Sequence, residues 1–93
     1  MAGSDVVARE VVVHGRVQGV FFRATCQREA RDRGLTGWVT NEPDGTVRAW
    51  FEGAADDVDA ICGWCHQGPR GAAVERVDTT DRTPEGHRSF AVR

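Results

Sequence analysis

Residues 6–13 are almost wholly β-branched or apolar, and the run breaks at Gly15, which predicts a strand that ends at a glycine. Phe22, Cys26 and Ala30 then recur at four-residue spacing and Gly34 follows them, so the spacing predicts an amphipathic helix over residues 21–33. Two extended runs, 35–40 and 46–52, are joined by Asn41-Glu42-Pro43-Asp44-Gly45, whose Asp-Gly pair supplies the positive backbone angle of a hairpin. After Gly53 the acidic Asp56, Asp57 and Asp59 crowd the first turns of a second helical pattern, where the helix dipole favours negative charge. Ala54, Val58, Ile61, Cys62 and Cys65 form its apolar stripe, and Gly68-Pro69 ends it. Residues 74–80 and 87–92 read as two further strands around a turn containing Pro84 and Gly86.

The order is β-α-β-β-α-β, with room for an extra β piece near the end. Two helices that each bury one stripe are best placed together on one face of an antiparallel sheet, so the expected class is α+β, a ferredoxin-like sandwich. No repeat, low-complexity stretch or single-sign charge block divides the 93 residues, and one domain over 1–93 is expected. That scaffold carries many activities, so function has to come from a site.

Charge narrows the field. All 12 basic residues are Arg, a composition bias that makes no single arginine notable, and the formal net charge is −2. Arg23, Arg28, Arg31 and Arg33 alternate with Glu29 and Asp32, as on a solvated helix face, which leaves no basic footprint for nucleic acid. Trp38, Trp50 and Phe51 are the aromatics available to an RNA-stacking sheet, and core packing accounts for them in part. No stretch approaches the apolar length of a membrane span or a signal peptide, so a cytoplasmic protein without membrane partners is expected, and a monomer. Three cysteines, an odd number, argue for reduced thiols.

The chemistry lies between the first strand and the first helix. Gly15 and Gly19 allow the backbone to curl, Val17 and Val20 can pack beneath it, and the amides of Arg16, Val17, Gln18, Gly19 and Val20 are left to face one point. The helix N-terminus adds partial positive charge there, and Arg23 follows within the first helical turn. Such a place suits a phosphate. On generic grounds the same pattern also describes a tight turn followed by a surface arginine.

Two longer motifs decide between these. Val13-His14-Gly15-Arg16-Val17-Gln18-Gly19-Val20-Phe21-Phe22-Arg23 resembles the first signature of the acylphosphatase family. Gly37-Trp38-Val39-Thr40-Asn41, followed by Asp44-Gly45-Thr46-Val47 and Glu52-Gly53, resembles the second. The likeness continues through Ala30, Gly34-Leu35, Trp64, Gly68-Pro69, Val74-Glu75-Arg76-Val77 and Phe90. It implies that the loop from Gly15 to Val20 cradles a phosphate, that Arg23 binds it and that Asn41 orients the attacking water. The implied substrate is a small acyl phosphate, with no cofactor and no metal. Thr40 stands where the family more often has a longer or basic side chain, and Arg93 where an aromatic is common; neither is expected to touch the chemistry. A binding-only regulatory module on the same scaffold would leave the pairing of Asn41 with Arg23 unexplained.

Other candidates are weaker. Cys62-Gly63-Trp64-Cys65-His66 matches the haem-attachment pattern, but it falls well inside the second helix on its apolar stripe and is expected to be core. The scattered His14, His66 and His87 suggest no catalytic group, His14 being nearest the loop.

Overall fold

The computed structural model describes residues 5–93; the first four residues of the expected unit lie outside the described part. The elements run β1 (Val6–Arg16), α1 (Phe22–Asp32), β2 (Thr36–Asn41), β3 (Val47–Ala54), α2 (Ala55–Cys65), β4 (Ala73–Arg82) and β5 (Phe90–Val92). The sheet order is β4-β1-β3-β2-β5. Alternation in the strands sends Val11 and Val13 of β1, Val39 of β2, and Val47, Ala49 and Phe51 of β3 to one face, where all are buried. Phe22, Cys26 and Ala30 of α1 and Val58, Ile61, Cys62 and Cys65 of α2 complete that core. The ferredoxin-like expectation is met. Ala54, read as part of the second helix's stripe, instead ends β3 and is exposed.

Two elements differ from their sequence pattern. β1 runs through Gly15 and Arg16, because a bulge between His14 and Gly15 lets pairing to β4 continue at Val74 and Ala73. Gly15 has φ 126°, and a Cβ there would lie 2.2 Å from the Ala73 carbonyl oxygen, so this position requires glycine. The last strand is shorter than the run 87–92 and pairs parallel to β2, Gly37 opposite Phe90, which makes the sheet mixed.

The parallel pairing follows from topology. β4 and β5 lie at opposite edges, so segment 83–89 must cross the sheet, and it crosses the face without helices. Glu52 of β3 anchors it: its carboxylate accepts the backbone N–H groups of Glu85 (2.6 Å), Gly86 (3.0 Å) and His87 (3.3 Å) and the Trp50 indole N–H (2.7 Å). The His87 ring meets Trp50 at an angle, and Trp38 stacks on Trp50. The aromatics considered for RNA stacking are therefore covered by the chain's own segments, and Phe51 packs on Phe90 in the core.

Candidate active site

β1 and β2 both pair antiparallel to β3, so they run in the same direction. Val13 and Asn41 flank the same residue, Val47, from either side. Their Cα atoms are thus about 10 Å apart, two strand spacings. β5, parallel to β2, ends at the same edge, and α1 begins there. Three strand ends and one helix N-terminus converge. Asn41 has the parity of Val39 and so faces the helix side, whereas Thr40 shares the parity of Trp38 and lies away from the convergence.

A cavity of about 480 Å³ opens at this corner, lined by Val17, Gly19, Phe21, Phe22, Arg23, Ala24, Gln27, Asn41 and Val92. The loop proper is 17–21, since Gly15 and Arg16 are paired in the sheet. Val17 is buried and Val20 packs against the core, as the sequence suggested. Gly19 adopts φ 77° with open space around it. Among the described residues, none of the amides of Gln18, Gly19, Val20 and Phe21 donates to a backbone carbonyl. Adjoining them, the first-turn amides of a helix have no intrahelical acceptor, so the corner is rich in free N–H groups.

The Gln18 side chain works across the site rather than in it. Its amide nitrogen donates to the carbonyls of Glu42 (2.8 Å) and Thr46 (3.0 Å), pinning the loop to the hairpin that carries Asn41. The hairpin is itself fixed by Asp44, which accepts from the Thr46 backbone N–H (3.0 Å) and hydroxyl (2.6 Å), so that these bonds hold its carboxyl below the usual range. Arg23 donates through Nη1 to the Arg93 carbonyl at 3.0 Å, and the Arg93 guanidinium lies 4.6 Å from the centre of the Trp38 ring. Arg93, expected from sequence not to touch the chemistry, is in direct contact with the Arg23 side chain through its backbone oxygen. The signal was absent because nothing in the pattern of residues 87–92 says that the last strand runs parallel to β2.

The remaining candidates fall elsewhere. His14 points to the helix-free face and pairs with Asp78 at 2.9 Å. Cys26, Cys62 and Cys65 are free and buried, and burial pushes all three thiols up, away from reactivity. Glu52, Glu85 and His87 bring three potential metal-ligand atoms together, the one such grouping among the described residues. Both oxygens of Glu52 already accept hydrogen bonds, and burial of that carboxyl is outweighed by the Glu85, Gly86, His87 and Trp50 donors, which hold it below its ordinary range. It is a brace for the crossing segment, five residues along β3 from the end that faces the cavity.

Fold and cavity together define a small ferredoxin-like domain with a pocket of mixed polar and apolar lining at a strand–loop–helix corner. The sequence profile of the Acylphosphatase family matches residues 9–92. An acylphosphatase from Nocardioides sp. is 57% identical over 86 residues, covering 92% of this chain and 87% of the relative. The structures of acylphosphatases from Coxiella burnetii and Bacillus subtilis superpose with TM-scores of 0.92 and 0.91 at 36% and 35% identity. These cover 95% and 94% of this chain, and 93% and 98% of theirs. The chain belongs to the acylphosphatase family and is a hydrolase of that family.

Proposed function

We propose that the protein hydrolyses small acyl phosphates to a carboxylate and inorganic phosphate, with the phosphoryl group held by the Gly15–Val20 stretch and Arg23 and the water aimed by Asn41. The observation that carries this reading is the meeting of unpaired loop amides, an arginine and a half-buried asparagine around one cavity at a helix N-terminus. An acyl phosphate expels a carboxylate whose conjugate acid has a pKa of about 4, so the leaving group needs no general acid. The absence of histidine or carboxylate side chains from the cavity lining fits that requirement among the described residues.

Charge in the transition state spreads over the phosphoryl oxygens, and amides and a guanidinium aimed at them supply the stabilisation. The Arg93 carbonyl fixes one N–H of Arg23 and leaves others for a bidentate grip on phosphate. A neutral carboxamide takes up no proton near neutral pH, so Asn41 acts by holding the water, and the substrate phosphate accepts the proton. Because cation and amides already provide positive charge, no metal is required.

Turnover of benzoyl phosphate by the purified chain tests the reading. Hydrolysis well above the spontaneous rate, inhibited competitively by inorganic phosphate and indifferent to EDTA, is expected. No turnover would overturn the function, and loss on chelation with recovery on adding a divalent metal would overturn the metal-free account.

A further inference from the structure

Phe21 is the one non-glycine residue with positive φ among the described residues, at φ 61° and ψ 30°. The left-handed region disfavours a side chain of this kind, and Gly or Asn would fit there without strain. Phe21 also occupies the N-cap of α1, where it makes no side-chain cap, although Asn or Ser would bond a free helix amide. Phe21 is 82% exposed, so it adds almost nothing to the core. On backbone strain, capping and burial alike, folding gains nothing from phenylalanine here. Strain of this kind, held at the border of a cavity, is a mark of function.

The ring's surroundings say what it does. Phe21 borders the same cavity as Arg23 and Asn41, together with Ala24, Val17 and the side chain of Val92, itself 40% exposed. The polar groups hold the phosphoryl end, while Phe21, Ala24 and Val92 form an apolar wall beside it. The volume of about 480 Å³ is in the range that takes a whole small molecule, more than a phosphate needs. We infer that Phe21, with Val92, is the acyl subsite: its ring packs against the carbon skeleton of the substrate and favours aryl and longer aliphatic acyl phosphates over acetyl phosphate. This rests on the function proposed above.

The two readings fail separately. Phe21→Gly removes the ring while matching the left-handed backbone, so the variant should fold at least as well as the parent, which a thermal melt verifies. Its ratio of kcat/KM for benzoyl phosphate over acetyl phosphate should fall about 3- to 10-fold, the worth of one aromatic contact, mainly through KM for benzoyl phosphate. Phe21→Tyr should keep the parental ratio, and Val92→Ala should lower it. Competitive inhibition by inorganic phosphate should change less than about twofold in Phe21→Gly, since the substitution alters none of the polar groups proposed to hold phosphate. An unchanged ratio in Phe21→Gly, or an equal loss with both substrates, would overturn the subsite and leave the hydrolase intact. No turnover of either substrate by the parent protein would overturn both readings.

Discussion

Arg23 and Asn41 divide the work at the scale of single residues. In the proposed mechanism Arg23 touches phosphate in both ground and transition states, whereas Asn41 touches only the incoming water, so their variants should fail differently. Arg23→Ala should lose phosphate affinity and rate together, and Arg23→Lys should recover little, lacking the planar fork. Asn41→Ala should keep inhibition by phosphate within a few-fold yet lower kcat by at least about 100-fold, the scale of losing one positioned polar group. If Asn41→Ala weakened phosphate inhibition and left kcat intact, the role given to Asn41 would be wrong. Both residues were visible in the sequence because they sit in long motifs. Phe21 was visible as a motif member and a helical residue but not as a strained one, since a positive φ on phenylalanine leaves no trace in hydrophobic spacing.

The elements set how these residues meet. The β1 bulge at His14/Gly15 carries the strand three residues beyond its apolar run, and the loop that remains is held to the β2–β3 hairpin by Gln18. Gln18→Ala should lower kcat/KM about tenfold or more, because a shift of the loop relative to Asn41 degrades the attack geometry. Gln18→Glu should be worse, placing a carboxylate against two carbonyl oxygens; parental kinetics in both variants would discard the clamp. α2 makes the opposite point. Its Cys-x-x-Cys-His run looks chemical in one dimension, but Cys62 and Cys65 face the core beside Cys26. Cys65→Ala should reduce stability by about 1–3 kcal/mol through the cavity it leaves, with turnover per folded molecule nearly unchanged. A large loss of turnover in a folded variant would contradict a purely structural thiol.

Over the whole molecule, the helix-bearing face was legible from periodicity, since the apolar residues at strand and helix spacing are those that fill the core. The other face was not. Segment 83–89 has no periodic pattern, and its course is fixed by one carboxylate distant in sequence, Glu52, with no local signal to mark it. The Glu52 carboxyl is lowered in the folded state, so its contribution to stability is present above the unfolded carboxylate pKa and is lost as pH falls through the folded one. Glu52→Gln should therefore be less stable than the parent near neutral pH by about 1–3 kcal/mol, since an amide cannot accept all four donors. The gap should narrow in acid, and a gap independent of pH in denaturant titrations would count against this brace. The crossing also delivers Val92 to the cavity and the Arg93 backbone oxygen to Arg23, so the brace on one face and the candidate site on the other edge are joined by three residues of β5.

The central claim is that one cavity holds the phosphoryl group and directs water at phosphorus without a metal. Hydrolysis of benzoyl phosphate in heavy-oxygen water with excess EDTA tests it most directly, with the label followed in both products. The account predicts full-rate turnover with one labelled oxygen in each inorganic phosphate and none in benzoate. Label appearing in benzoate would place the attack at the acyl carbon and contradict it.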